Sequence, residues 1–139
     1  MKKNKKIITI TFILMLILIA CTHKTKNPDI NSDLSGNILI FYSKDCPNCQ
    51  AIKKDIYKLI NDNDNVLLID VDKENGEEFI NKFGIKKLAT AYYVPINKTV
   101  DYEYINDNKA NLVKKDKNGQ KIFNQNEFNR LLEKQQKKE

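Results

Sequence analysis

Residues 37–49 read Asn-Ile-Leu-Ile-Phe-Tyr-Ser-Lys-Asp-Cys-Pro-Asn-Cys, and this stretch decides the fold. Residues 38–42 are an apolar run that is rich in β-formers and too short for the core of a helix, which predicts a buried strand. Pro47 suits the first turn of a helix, because proline lacks the N–H that would be unpaired there and its φ is already helical. We therefore predict a strand, a short turn, and a helix that begins at the two cysteines.

The predicted helix has one apolar face, and the two cysteines are placed differently relative to it. The other apolar residues of that face are Ile52, Ile56, Leu59 and Ile60. Cys49 falls in phase with them, so we expect it to be buried. Cys46 lies at the start of the helix, where we expect it to be more open to solvent.

This difference predicts separate chemical roles for the two thiols. Unpaired N–H groups and a partial positive charge at a helix N-terminus stabilise thiolate, the reactive form of cysteine. Cys46 is therefore the predicted nucleophile. Cys49 lies within one helical turn and is close enough to form a disulfide with Cys46, which makes it the resolving thiol.

The N-terminus is typical of an export signal. Four of the first six residues are lysine, and residues 7–20 form an apolar run that only Thr9 and Thr11 interrupt. This run of 14 residues is shorter than the ~20 residues that span a bilayer as a helix. A basic start, a short apolar middle and a small residue at the end indicate a secretory signal.

Residues 18–21, Leu-Ile-Ala-Cys, resemble the lipobox of bacterial lipoproteins. In that family the signal is cut before the cysteine, and the cysteine carries the lipid. The resemblance implies that Cys21 is lipidated and that the domain is anchored to the membrane outside the cytoplasm. The alternatives are an ordinary signal or an uncleaved anchor, with Cys21 incidental, and each would still export the domain.

The charge of the chain excludes a nucleic-acid partner. The formal net charge is +6, but four of the 24 lysine and arginine residues lie in the predicted signal. The remaining 20 basic residues nearly balance the 18 acidic residues, so the domain lacks the large positive charge that is typical of nucleic-acid-binding proteins.

Cysteine usage argues against a structural metal. The chain has three cysteines and one histidine, and a structural zinc site needs four ligands. With Cys21 lipidated, two thiols and His23 remain, so we expect no metal and no cofactor. Export also places the pair where a disulfide persists.

Four segments follow from these patterns. Residues 1–20 are the predicted signal peptide, and residues 21–36 are the lipidated cysteine with a flexible tether, because this stretch is polar and lacks apolar periodicity. Residues 37–134 are the predicted domain, and residues 135–139 are a polar tail. The domain is long enough for a single core, and we expect a monomer.

Further elements are predicted along the domain. Residues 66–71 are a second buried strand, after which Asn75 and Glu78 resemble a capping pair. The helix that follows has an inner face made by Phe79, Ile80 and Phe83, and Gly84 ends it. Strand, helix, strand and helix in this order imply parallel strands joined by a right-handed crossover.

The second half of the domain is predicted to be richer in strands. Residues 89–94 are a candidate strand, and residues 99–105 alternate as in a half-exposed strand. Asn118-Gly119 predicts a hairpin between residues 112–113 and residues 122–123. Asn124 and Glu127 are predicted to cap a last helix, whose inner face is made by Phe128, Leu131 and Leu132.

Residues 37–90 resemble the thioredoxin superfamily. Residues 38–49 look like its first core strand and Cys-X-X-Cys motif, residues 67–72 like the next parallel strand, and residues 83–85 like the turn before its cis-proline loop. The resemblance implies an α/β thioredoxin-like fold, a single domain with a central mixed sheet flanked by helices. It also implies a redox-active Cys46–Cys49 disulfide whose potential Pro47 and Asn48 tune.

The sequence departs from the family at two positions. Thioredoxins carry a buried acid six residues before the first cysteine, where this chain has Ile40. At the position of the cis-proline stands Ala89, followed by Thr90, and a cis bond at a non-proline residue costs ~3 kcal/mol, so we expect it to be trans. A second alignment uses Val94 and Pro95 as this substrate loop. A third takes residues 112–123 as the last hairpin and residues 90–109 as an insertion.

The leading hypothesis is a membrane-tethered, extracytoplasmic thiol–disulfide oxidoreductase. Its substrates would be exported proteins, and a membrane thiol-redox partner would recycle the pair. The alternative is a thioredoxin-fold envelope lipoprotein with a structural disulfide that binds a peptide or protein partner. A third hypothesis is an accessory factor for a peptide exporter, or a relay for haem or for a soft metal such as Cu(I), which two thiols can hold.

Overall fold

The computed structural model describes residues 27–96 and 107–137. The helices of this part of the chain are α1 (Pro47–Ala51), α2 (Lys53–Asp62), α3 (Gly76–Lys82) and α4 (Gln125–Lys137). Its strands are β1 (Ile38–Tyr42), β2 (Val66–Asp70), β3 (Thr90–Tyr93), β4 (Lys109–Asn111), β5 (Val113–Lys115) and β6 (Lys121–Phe123). None of these helices is long and apolar enough to cross a membrane.

In the described part of the chain, four strands form the main sheet, in the order β2-β1-β3-β4. β2 lies parallel to β1, with Asp70 opposite Tyr42, whereas β3 lies antiparallel to β1, with Thr90 opposite Phe41. β4 continues the sheet antiparallel to β3, and β5 and β6 form a separate hairpin. The predicted α/β architecture, a central mixed sheet flanked by helices, is confirmed.

The side chains of the central strand β1 pack in two cores, because successive side chains of a strand point to opposite faces of the sheet. Ile40 packs on one face with Cys49 of α1 and with buried residues of α2 and α4. Phe41 packs on the other face with Phe79 of α3 and with Phe83. All five side chains of β1 are buried, which agrees with the continuous apolar run that predicted it.

The folded part of the chain begins before the predicted boundary at residue 37. Asn27 is buried, and its side chain pairs with both backbone groups of Asp70, accepting from N at 2.8 Å and donating to O at 2.9 Å. Leu34 is buried in the core on the α3 side. The tether predicted for residues 21–36 is thus wrong for residues 27–36, which are part of the folded domain. Polar composition alone does not indicate that an asparagine side chain pairs with the backbone at the end of β2.

The single helix predicted after the cysteines is interrupted at Ile52, which separates α1 from α2. Ile52 has φ −116° and ψ 19°, and its N–H donates to the carbonyl oxygen of Gln50 instead of that of the residue four positions earlier. The side chains of the predicted apolar face still reach the core; they are Cys49, Ile52, Ile56, Leu59 and Ile60.

The capping pair predicted at Asn75 and Glu78 is wrong. Asn75 does precede α3, but it has φ 59° and makes no side-chain capping bond. Its Oδ1 instead accepts from Asn27 Nδ2 at 3.2 Å, and its Nδ2 donates to Pro28 O at 3.4 Å. The end of the helix is as predicted, since Gly84 has φ 54°, a left-handed conformation that glycine adopts without strain.

The strands of the second half largely follow the predictions. β3 lies within the strand predicted at residues 89–94. β5 and β6 flank the turn at Asn118-Gly119, which confirms the hairpin. The strand expected at residues 99–105 lies outside the described residues.

The last helix extends beyond the predicted end of the domain. α4 buries Phe128 and Leu131 as expected, but it continues to Lys137, so the tail predicted from residue 135 is partly helical. Gln135 explains the extension, because its Nε2 donates to Gly36 O at 2.7 Å. Glu127, predicted as part of a cap, accepts from Arg130 Nη2 at 3.0 Å.

The start of α3 yields a test of the packing. A methyl group on Gly76 would lie 2.4 Å from Val71 O and 2.6 Å from Val71 Cα, both backbone atoms that cannot move aside cheaply. We expect Gly76→Ala to lower the free energy of unfolding by about 2 kcal/mol or more, measured by urea denaturation.

Gly119→Ala is the matched control for this substitution. Gly119 has φ 79°, but nothing lies within 4 Å of the added methyl group. We expect it to cost about 1 kcal/mol through backbone strain alone. A Gly76→Ala protein as stable as the Gly119→Ala protein would contradict the packing at α3.

Candidate active site

Cys46 lies beyond the carboxyl end of β1, at the entry to α1. Its N–H donates to Ser43 O at 3.3 Å, and its Sγ accepts from the N–H of Cys49 at 3.3 Å, so the sulfur itself caps the helix. Pro47 is the first residue of α1, as predicted, and Asn48 is the second. The entry to α1 therefore aims a backbone N–H at the sulfur of Cys46.

A carboxylate that closely follows β2 fixes the turn before Cys46. Asp72 accepts from Ser43 Oγ at 2.9 Å and from the N–H of Lys44 at 3.0 Å. Ser43 Oγ in turn accepts from the N–H of Asp45 at 3.1 Å. Sequence reasoning missed Asp72, although it was recognisable: the carboxyl ends of parallel strands meet at one edge of a sheet, and Asp72 closely follows β2.

Gln50 closes the same turn from the helix side. Its Nε2 donates to Lys44 O at 2.7 Å and to the hydroxyl of Tyr42 at 2.9 Å. The turn before Cys46 is therefore held both by the segment that follows β2 and by α1. This support is independent of the two cysteines.

Cys49 occupies a very different environment from Cys46. Its side chain is fully buried, whereas Cys46 is half-buried. Burial is the main reason that the pKa of the Cys49 thiol rises from its ordinary value of 9.0 to about 12, and the hydrogen bond and charge of Cys46 add to the rise. Backbone hydrogen bonds from Ser43 and Ala89 act in the opposite direction without cancelling it.

No buried carboxylate lies beside Cys49 in the described part of the chain. Ile40, which stands where thioredoxins carry the acid, is fully buried in the same core as Cys49. The buried polar side chains of the described residues are Asn27, Ser43 and Asn108. Among the described residues, no acidic side chain in the core can therefore receive the proton of Cys49.

The loop at Ala89 and Thr90 forms the wall beside the cysteines. Ala89 is fully buried in the core that contains Cys49, and Thr90 begins β3 opposite Phe41. The N–H of Ala89 donates to Phe41 O at 3.1 Å, and its carbonyl accepts from Leu112 N at 2.9 Å. Ala89 follows a trans peptide bond but has φ 59°, a left-handed conformation that costs an alanine about 1 kcal/mol.

The other candidates for this loop lie elsewhere. Val94 N donates to Asn37 O at 2.9 Å, at the start of β1, so Val94 and Pro95 are at the far end of the sheet from Cys46. Residues 112–123 contain the β5–β6 hairpin, but the fourth strand of the main sheet is β4. The structure therefore brings Ala89 and Thr90 to the cysteine pair, and not Val94 and Pro95.

A cationic groove flanks this wall. A cavity of about 280 Å³ is lined by Gly84, Ile85, Lys86, Lys87, Thr90, Lys109, Ala110 and Asn111. The Nζ of Lys109 donates to Gly84 O at 2.9 Å, and burial together with Lys86 lowers the pKa of Lys109. The side of the site beyond Thr90 is therefore positively charged.

Within residues 27–96 and 107–137, no group of three or more histidine, cysteine or acidic side chains could hold a metal ion. Cys46 and Cys49 are both free thiols in the structure. Cys21 and His23 lie outside the described residues.

The geometry defines the class of the protein. It is an α/β domain in which a Cys-X-X-Cys pair lies at the start of the helix that follows the central strand. A family model described as Thioredoxin matches residues 18–118, more than half of the 139 residues. The chain belongs to the thioredoxin family. No curated protein and no solved structure matches it.

The pKa of Cys49 predicts unequal reactivity of the two thiols. We expect Cys49 in a Cys46→Ser protein to react with iodoacetamide at least ~10-fold more slowly at pH 8 than Cys46 in a Cys49→Ser protein, because thiolate is the reacting form. The rate for Cys49 should still be rising above pH 9. Equal rates, or a plateau below pH 9, would contradict the buried environment.

The same shift predicts a pH dependence of stability. The folded protein holds the Cys49 proton more tightly than the unfolded chain does, so this contribution is complete below pH 9 and is lost as the pH rises from about 9 to about 12. The free energy of unfolding of the wild type should fall more steeply over this range than that of a Cys49→Ala protein. Parallel curves would show that the thiol has no raised pKa.

The backbone of Ala89 yields a further prediction. Proline fixes φ near −65° and has no N–H, so Ala89→Pro would lose the observed φ and the bond to Phe41. We expect it to lower the free energy of unfolding by about 3 kcal/mol. Ala89→Gly, the matched control, keeps the N–H and tolerates the positive φ, so it should stay within about 1 kcal/mol of the wild type. A fully stable Ala89→Pro protein would contradict this geometry.

Proposed function

We propose that this protein is a membrane-tethered, extracytoplasmic thiol–disulfide oxidoreductase that acts on exported proteins through Cys46 and Cys49. The observation that carries the proposal is the geometry at the entry to α1. There a half-buried Cys46 Sγ accepts the N–H of a fully buried Cys49 at 3.3 Å. One thiol is open to a substrate, and the other is within reach of the first and protected from solvent.

The reaction proceeds in two exchanges. In the reducing direction the Cys46 thiolate attacks one sulfur of a substrate disulfide, a Cys46–substrate disulfide forms, and the other substrate sulfur leaves as a thiolate that takes a proton. Cys49 then loses its proton and attacks the Cys46 sulfur, which releases the second substrate thiolate. Two electrons pass from the pair to the substrate. The oxidising direction is the reverse, and a membrane thiol-redox partner returns the pair to its starting state.

The mixed disulfide itself prepares Cys49 for the second exchange. Part of the rise in the pKa of Cys49 comes from the hydrogen bond and the charge of Cys46. Both change when Cys46 is bonded to the substrate and carries no charge, so the pKa of Cys49 falls at that stage. Burial remains, and the departing substrate thiolate takes up the Cys49 proton.

The N-terminal sequence supports the proposed location. Basic residues, a short apolar run and Leu-Ile-Ala-Cys at residues 18–21 together resemble a lipoprotein signal. Lipidation at Cys21 would leave Cys46 and Cys49 as the only thiols of the mature chain. An exported domain also works where disulfides persist.

A second candidate function is supported by Ile40 and Ala89. With no acid beside Cys49 among the residues that the structure describes, and an alanine at the substrate loop, the pair could serve as a structural disulfide in a lipoprotein that binds a peptide or protein partner. Such a domain would use the surface around Thr90 without exchanging disulfides.

Trapping the intermediate separates the two functions. A reduced Cys49→Ser protein incubated with a disulfide-containing protein such as insulin should accumulate a covalent Cys46–substrate adduct, seen on non-reducing gels, because the resolving thiol is gone. Cys46→Ser is the matched control and should form at least ~10-fold less adduct, since the remaining thiol is buried. An equal yield from both variants, or no adduct from either, would contradict the oxidoreductase.

A further inference from the structure

Asn27, the first residue that the structure describes, lies at the same end of the sheet as the cysteine pair. Asn27 is fixed to Asp70, the last residue of β2, and its Nδ2 also donates to Glu74 O at 3.3 Å. Asp70 lies opposite Tyr42, the last residue of β1, after which the turn leads to Cys46. Asp72 binds that turn directly at Ser43.

From Asn27 the chain runs along the domain to its far end. Lys82 Nζ donates to Ile30 O at 2.7 Å, and Leu34 is buried against the α3 side of the sheet. Gly36 N then donates to Val94 O at 2.7 Å, beside the start of β1. A domain that began at residue 37 would be anchored at its far end, whereas the observed fold is anchored at the end that carries Cys46.

Few residues separate the proposed lipid anchor from Asn27. Only residues 22–26 separate Cys21 from Asn27, and a chain of this length spans at most about 20 Å. A tether that reached residue 37 could span about 55 Å and would allow any orientation.

We propose that the domain is held with its cysteine end toward the bilayer, so that Cys46 exchanges with thiols and disulfides held at the membrane surface. This inference rests on the proposed membrane anchor at Cys21. The partner class is therefore a membrane-embedded or membrane-bound protein with a thiol pair near the lipid headgroups. Freely diffusing exported proteins are the alternative that the experiment distinguishes.

The orientation is measured on the full-length lipidated protein in phospholipid vesicles. A nitroxide is placed on Cys46 in the Cys49→Ser protein, and, for the far end, on an Asn65→Cys substitution in a Cys46→Ser/Cys49→Ser background. Asn65 is exposed and lies beside the start of β1, where its carbonyl accepts from Ile38 N at 2.8 Å. The probe is a lipid whose headgroup chelates nickel, and we expect stronger relaxation of the nitroxide at Cys46 than at residue 65.

The matched control lengthens the tether without touching the fold. Insertion of about 20 glycine and serine residues between Lys26 and Asn27 should remove the difference between the two labels. The same insertion should slow the reaction of Cys46 with a lipid-linked pyridyl disulfide by roughly tenfold, because effective concentration falls as about the −3/2 power of tether length. Its reaction with a soluble pyridyl disulfide should not change.

The outcomes separate this inference from the proposed function. Equal relaxation at both labels in the lipidated protein, or no effect of the insertion on the lipid-linked reaction, would overturn the inference alone. If Cys46 reacts with neither the lipid-linked nor the soluble pyridyl disulfide, the proposed oxidoreductase function is overturned. Mass spectrometry that finds no lipid on Cys21 would overturn the anchor and this inference together.

Discussion

The structure depends on the burial of one strand with partners on both sides. β1 has no exposed side chain, so its backbone groups must be paired within the protein, and β2 and β3 provide that pairing. The parallel strand β2 brings Asp72 to the turn after Tyr42, and the antiparallel strand β3 brings Ala89 to the same edge of the sheet. The position of Cys46 thus follows from which strands pair with β1, and not from the Cys-X-X-Cys motif alone.

The central part of the fold could be predicted because its signals are local. The apolar run of β1 and Pro47 specify their own conformations, and the periodicity after Pro47 correctly separates a buried Cys49 from a more exposed Cys46. The turn at Asn118-Gly119 likewise selects its hairpin without help from distant residues.

Other features could not be predicted because they depend on contacts between residues far apart in sequence. Asn27 belongs to a polar stretch, and only its pairing with Asp70, 43 positions later, makes it part of the fold. Asn75 has the composition of a helix cap, but its side chain serves that same cluster. The left-handed backbone of Ala89 is imposed by its bonds to Phe41 and Leu112, since alanine does not favour that conformation by itself.

The central claim is that the cysteine pair exchanges disulfides. It requires that Cys46 and Cys49 form a disulfide and that this disulfide can be reduced again. The reduction potential of the Cys46–Cys49 couple, measured by alkylation in graded glutathione or dithiothreitol buffers, tests it most directly. We expect a value between about −270 and −120 mV, the range of thiol-exchange proteins. A value below about −300 mV, which is typical of structural disulfides, would contradict the claim.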